Sequence, residues 1–243
     1  MVLGLDPLAI AILATTVVVG ATVQTLVGLG VGLVAAPVTA LVAPEMMPGT
    51  LLWLAAAMPL VTLLREHDNI DWRGLGWSIP ARIPGTAVGV AVVALVSERE
   101  LGVAVGLMVL AAVVLTLKTV RLPINRTTLV TAGFVSGVTG TATSIGGPPL
   151  ALLYQHREAR QIRSTLAVYF VLGAVLSLAG LAVGDALQTR ELLLALLLAP
   201  CLVGGFAVST VLRRWVDPDR VRYGVLAVCG LSALVLMVRS LTG

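Results

Sequence analysis

Few places in this 243-residue chain carry side chains capable of chemistry. The richest is Gly137-Val138-Thr139-Gly140-Thr141-Ala142-Thr143-Ser144-Ile145-Gly146-Gly147-Pro148-Pro149, where hydroxyls and glycines interrupt apolar sequence. Hydroxyls and free backbone N–H groups are donors, so the matching ligand is small and rich in acceptor oxygens. About 112 residues earlier, Gln24-Thr25-Leu26-Val27-Gly28-Leu29-Gly30-Val31-Gly32 breaks another apolar run, with only Thr25 and the Gln24 amide as polar side chains. Each break leads to a proline, Pro37 or Pro149, at which the apolar run is expected to restart. The third place is Arg82, the one basic residue well inside an apolar segment. A charge there is expensive. It lies about eight residues into its predicted helix, roughly 12 Å from the end by helical rise, so it either meets an anion or snorkels to the interface.

Paired Gly/Pro interruptions at matching places in two halves point to the substrate site of a transporter. A helix starting at membrane depth presents unpaired N–H groups and the positive end of its dipole, and glycines let a ligand approach the backbone. The candidate substrate-binding set is therefore Gln24, Thr25, Gly28, Gly30 and Gly32 on one side, with Arg82. On the other stand Gly137, Thr139, Gly140, Thr141, Thr143, Ser144, Gly146 and Gly147. The alternative for any such glycine is close helix packing, the expected role of Gly85/Gly89 and Gly102/Gly106.

The elements that must position these residues are membrane helices. The chain is 58% hydrophobic and 12% charged, far from a soluble domain, and an integral membrane protein follows. Apolar segments run at about 8–27, 30–42, 50–64, 74–96, 101–117, 127–141, 148–155, 164–183, 192–212 and 221–238. The pattern repeats: Gly49-Thr50-Leu51 answers to Ser164-Thr165-Leu166, and Pro84-Gly85-Thr86 to Val203-Gly204-Gly205. The halves are 1–120 and 121–243. With four single crossings per half, seven basic residues face one side and eight the other. With each broken segment as a hairpin that enters and leaves on one side, followed by three crossings, twelve face one side and only Arg99, Arg190 and Arg239 the other, and the brevity of 127–141 and 148–155 favours a re-entrant hairpin over one that crosses twice. The positive-inside rule selects the second arrangement, in which the halves are inverted and both termini lie outside. The fold class expected is an all-α polytopic membrane protein of two inverted repeats, each a broken hairpin plus about three transmembrane helices. The N-terminus lacks the basic stretch of a signal peptide, so the first apolar run is expected to be retained.

Other classes are disfavoured. The net charge of +4 comes from arginines in short loops, which topology explains better than nucleic-acid binding. The twelve acidic residues lie in loops or at span ends, so a midmembrane carboxylate relay for cations is not expected. His67 and His156 read as solvated loop residues, and Cys201 and Cys229 as small core residues. No nucleophile–base set, metal cluster or phosphate loop stands out, so neither an enzyme nor a metal or cofactor is expected.

With these breaks, the Gly49-Thr50-Leu51 and Arg163-Ser164-Thr165-Leu166 helix starts and the Asn69-Ile70-Asp71-Trp72 stretch, the chain resembles the TauE/SafE family of sulfite and organosulfonate exporters over essentially its whole length. The resemblance implies a transporter in the cytoplasmic membrane that moves sulfite, sulfoacetate or related sulfur anions, mostly outward, by alternating access at the repeat interface. The family's first break carries a denser glycine run than Gly32-Leu33-Val34-Ala35-Ala36, which moves the weight of ligand contact to the second break. Its partners would be the small anion and the bilayer, with proton coupling and homo-oligomerisation both compatible. An anion channel, a carrier of another small solute and a non-transporting assembly subunit are the alternatives.

Overall fold

The computed structural model describes residues 3–27, 31–65, 68–117, 122–212, 215 and 218–242. Among them are ten α-helices: α1 (Pro7–Val27), α2 (Val31–Val42), α3 (Gly49–Arg65), α4 (Trp72–Leu95), α5 (Glu98–Leu117), α6 (Arg126–Thr143), α7 (Pro148–Tyr154), α8 (Ala159–Val183), α9 (Thr189–Leu212) and α10 (Pro218–Thr242). Strands are absent from the described residues, as the sequence predicts. Six of these helices are long and apolar enough to cross a membrane, and none has more than half of its most apolar stretch buried. Their outer faces carry residues such as Leu95, Val183 and Val203, surface that only lipid would solvate favourably.

Local signals set the helix ends. The Asp71 side chain accepts from the Gly74 N–H at 2.9 Å and caps α4. Asn125 and Thr128 form a reciprocal capping box at the start of α6. The α6 helix ends where Ser144 takes a left-handed φ of 61° and returns its N–H to the Gly140 carbonyl.

Helices far apart in sequence pack in pairs: α1 on α9, α4 on α6, α3 on α8 and α5 on α10. The α4–α6 crossing is built from small residues. A Cβ on Gly85 would strike the Phe134 carbonyl, one on Gly89 would stand 2.7 Å from Thr141 Cβ, and one on Gly133 would meet the Ser78 carbonyl. Gly102 and Gly106 face Ser240 and Met237 of α10 in the same way, so both Gly-x-x-x-Gly pairs serve close packing. At the α1–α9 crossing the close approach falls on Gly205, beside Ala21 and Thr22, while Gly204 faces open space. The glycine in close approach is thus Gly205, not the Gly204 that the sequence pairs with Gly85.

Helix α2 matches the apolar segment expected at 30–42, but Pro37 lies inside it and is not where the run restarts. The reason is a cap reaching across the break: Gln24 Oε1 accepts the Val31 N–H at 2.7 Å. The second break follows the sequence reading, with Pro148 and Pro149 in the first turn of α7.

Candidate functional site

Arg82 sits ten residues past Trp72, about 15 Å along α4 and well short of its far end. It is 3% exposed, so the snorkelling alternative does not hold. Its guanidinium is wedged among small residues. A Cβ on Gly140 would lie 2.8 Å from Arg82 Nη2, and one on Gly173 would lie 2.7 Å from Nε. Glycine at both positions is what leaves room for the cation.

Among the described residues the contacts of this cation are all neutral. Nη1 donates to Ser136 Oγ at 2.9 Å, Nη2 reaches Ser177 Oγ at 3.5 Å, and Cζ lies 5.0 Å from the centroid of the Tyr169 ring. Ser136 Oγ donates onward to the Gly146 carbonyl, which ties the charge to the second break. Ser177 Oγ pairs with Thr141 Oγ1 at 2.8 Å. Around this network five buried polar atoms have no hydrogen-bond partner: Arg82 Nε, Ser78 Oγ, Thr86 Oγ1, Thr139 Oγ1 and Tyr169 OH. Each such orphan costs about 1–3 kcal/mol, so their concentration on one set of helices needs a reason.

The residues singled out from sequence divide into three groups. Arg82, Gly137, Gly140, Thr141 and Gly146 come together at the α4–α6–α8 meeting, with Gly137 against the Arg82 carbonyl and the Thr86 N–H, and Thr139 is buried on the same stretch of α6. Gly147 caps α7 beside the Phe170 ring. Thr143, Ser144, Gln24, Thr25 and Gly32 have mainly architectural contacts. Thr143 Oγ1 donates to the Thr139 carbonyl at 2.7 Å, Ser144 Oγ to the Pro48 carbonyl at 2.9 Å, and Thr25 Oγ1 to the Ala21 carbonyl at 2.8 Å. Gly28 and Gly30, like His67, lie outside the described residues.

The two breaks do touch. A Cβ on Gly32 would collide with the Ser144 carbonyl, so glycine lets the start of α2 lie against the end of α6. Their donors differ from the expected cradle of helix N-termini, however. The Val31 N–H is taken by Gln24, and Pro148 and Pro149 have no N–H to give. Residues Val31 to Ala36 are buried in the apolar core shared by α1, α2, α3, α5, α9 and α10. Among the described residues the polar chemistry therefore sits at the second break, on side chains more than on helix ends.

Ser78, Thr86, Ser136, Tyr169, Gly173 and Ser177 escaped the sequence reading. Their signal was spacing: Ser78-Arg82-Thr86 on α4 and Tyr169-Gly173-Ser177 on α8 each recur every four residues, one face of a helix.

Glu191 was also placed with the ordinary span-end acids. It is 1% exposed, and its carboxylate accepts the N–H groups of Gly49 and Gln188, both at 2.8 Å.

The family model for the sulfite exporter TauE/SafE matches residues 12–236 of this chain. No curated protein and no solved structure gives a match.

Proposed function

Because the chain belongs to the sulfite exporter TauE/SafE family, we propose that it carries a small sulfur oxyanion across the cytoplasmic membrane, bound at Arg82 beside the second break. The observation that carries this reading is a buried guanidinium whose neighbours among the described residues are neutral, on helices that also carry buried hydroxyls with no partner among those residues. An isolated charge at that depth is costly, and an anion accepting from Arg82 Nε, Thr139, Thr86 or Tyr169 would neutralise it and satisfy the orphans together. Sulfite and short sulfonates offer a compact negative group with three oxygens, a match for a planar donor fork supplemented by hydroxyls. Nothing in this chemistry requires bond making, which agrees with a transporter rather than an enzyme.

The mechanism proposed is alternating access between two inverted halves, and the placement of the cavities supports it. Leu122 and Ile124 ahead of α6 line a cavity of about 540 Å³ together with Leu153, His156 and Arg157 at and beyond the end of α7. The second broken segment thus enters and leaves at one mouth. Gly4, ahead of α1, lies beside Arg190, while Pro44 and Glu45, past α2, border a cavity of about 420 Å³ with Glu191. That is the opposite arrangement for the first segment. The mouths differ in charge: His156 and Arg157 line one, and Glu45, Glu98, Asp185 and Glu191 the other. By the positive-inside rule the basic mouth is cytoplasmic, where it draws anions in, and the acidic mouth disfavours their return.

Flux of radiolabelled sulfite and sulfoacetate into proteoliposomes tests the proposal. Saturable flux with counterflow is expected. Flux that rises linearly with concentration and shows no counterflow would mean a channel. No flux and no stabilisation by either anion would remove the substrate assignment.

A further inference from the structure

Two carboxylates that the transport reading does not use occupy corresponding places at the two ends of the molecule. Glu191 follows Asp71 by 120 positions, the same interval that separates Gly205 from Gly85, the glycines of the α9–α1 and α4–α6 crossings. Asp71 stands at the start of α4 and Glu191 at the start of α9.

Each joins its helix to a neighbour in the other half of the chain. At the start of α4, Asp71 Oδ2 accepts from Tyr154 Oη at 2.7 Å, and the Asp71 N–H donates to Thr165 Oγ1 at 3.0 Å. At the start of α9, Glu191 Oε1 accepts from the Gly49 N–H at 2.8 Å, and Thr50 Oγ1 donates to the Glu191 carbonyl at 3.2 Å. Thr50 and Thr165 are themselves partners in the repeated Thr-Leu helix start. In both places a carboxylate residue meets a helix-start threonine across the halves, although the partners differ: a phenol and a main-chain N–H for the carboxylates, and the Asp71 N–H and the Glu191 carbonyl for the threonines.

The two sites lie at opposite ends of the bundle. Gly49 begins α3, and Asp71 comes six residues after its end, about 25 Å of helix away. Thr165 is near the start of α8, and Glu191 is eight residues beyond the end of that helix. Beneath each lies an apolar plug. On the Glu191 side Leu52, Leu178 and Leu181 pack together with Val93 and Ala186, which also line the 420 Å³ cavity. On the Asp71 side Leu75, Leu129, Leu150, Leu153, Tyr154 and Tyr169 form the corresponding cluster, and Leu153 lines the 540 Å³ cavity. At each end the tie, the cavity and the plug are neighbours: Glu191 itself lines the 420 Å³ cavity, and Tyr154, bonded to Asp71, belongs to the cluster whose Leu153 lines the 540 Å³ cavity.

We propose that Asp71 and Glu191 are the two gate residues of the carrier, each holding one mouth shut by tying α4 to α7–α8 or α9 to α3. The structure, with both ties made, is the occluded state. Opening a mouth breaks one tie and parts the plug under it while the other stays closed. Both are positioning residues: they act on access and do not touch the anion. This rests on the alternating-access reading given above.

The test reads access directly. In a background carrying Cys201→Ala and Cys229→Ala, a reporter thiol is placed in each plug, Leu181→Cys or Leu75→Cys, and its reaction with the membrane-impermeant reagent MTSET is timed from each side of oriented vesicles. Glu191→Gln, or independently Gly49→Ala, whose Cβ would stand 2.5 Å from the Glu191 carboxylate, is expected to speed labelling of the Leu181→Cys thiol about tenfold or more from its own mouth. Neither should alter labelling of the Leu75→Cys thiol. Asp71→Asn and Tyr154→Phe should do the reverse. Unchanged rates at the matching mouth would overturn the proposal, and so would equal acceleration at both mouths, which signals general loosening. The labelling needs no substrate. Mouth-specific acceleration without sulfite flux would leave the gates standing and the substrate wrong, whereas flux with unchanged labelling would fail the gates alone.

Discussion

Arg82→Met is the substitution whose outcome separates a ligand site from a structural arginine most sharply, because the two readings predict opposite signs. The side chain is 3% exposed and bonded only to neutral groups. Methionine has similar reach and fits beside Gly140 and Gly173 without a charge to desolvate. The hydroxyls left behind keep other partners, since Ser136 still donates to the Gly146 carbonyl and Ser177 still pairs with Thr141. Replacing a buried ion pair by apolar side chains of similar volume often gains about 1–4 kcal/mol, and a lone buried cation, with no counter-charge to offset its desolvation, should gain at least as much. For a chain of this length that corresponds to a rise in Tm of about 2–4 °C per kcal/mol. The anion-free variant is therefore expected to melt several degrees above the wild type.

Anion binding should move the other way. Losing one partner of a buried, hydrogen-bonded charge pair costs about 2–5 kcal/mol, a weakening of roughly 30-fold to several thousand-fold. Sulfite should then no longer stabilise the variant, and flux in proteoliposomes should fall to background. Arg82→Lys, which keeps the charge but loses the planar fork, should retain a fraction of the flux. The two assays are a detergent melting curve with and without sulfite and a flux measurement on the same preparation. A variant that melts lower without anion, yet transports with an unchanged KM, would show that Arg82 holds helices together and binds nothing.

Other substitutions sort ligand contacts from packing. Thr139→Val removes a buried hydroxyl with no partner and should lower flux about tenfold with little change in Tm, whereas Thr143→Val, whose hydroxyl bonds within its own helix, should leave flux within about twofold. Gly173→Ala would push a methyl into the guanidinium and should abolish flux while the protein still inserts and purifies as a folded species. Gly32→Ala should cost roughly 1–3 kcal/mol of stability through its collision with the Ser144 carbonyl, read as a lowered Tm. Gly106→Val, at the α5–α10 crossing beside Met237 and remote from Arg82, should lower Tm without changing the KM for sulfite.

The helices were legible because each is an apolar run bounded by polar or turn residues, a signal that needs no partner. Less legible were features that arise between helices. Pro37 looked like a helix start because proline suits a first turn, but the side chain of Gln24, seven residues before Val31, caps α2 instead. Arg82 read equally as an interface anchor because helical rise gives depth along one helix and says nothing of which helices cover it. Gly140 and Gly173 decide that, from α6 and α8. Likewise the second break looked like an array of backbone donors, although its prolines at 148 and 149 remove two of them. Glu191 sits at a span end as the sequence indicates, yet α3 buries it completely, and one strand of sequence cannot report that contact.

The unequal chemistry of the two crossings follows from what a single anion needs. By the interval that relates Gly85 to Gly205, the position answering to Arg82 is Leu202, buried in the apolar core against α1. Ser78 answers to Leu198 and Thr86 to Phe206 in the same register. A second arginine at Leu202 would bring a second desolvation penalty of several kcal/mol in an apolar core that offers it no partner. An apolar α1–α9 crossing and a polar α4–α6 crossing divide the work differently. The first supplies rigid packing around α2, and the second supplies the charge. Gly32 against Ser144 joins them, so that movement of one broken segment is felt by the other. It follows that Leu202→Arg should insert poorly or lower Tm without increasing affinity for sulfite. A gain in affinity from that substitution would refute the division of roles argued from the two crossings.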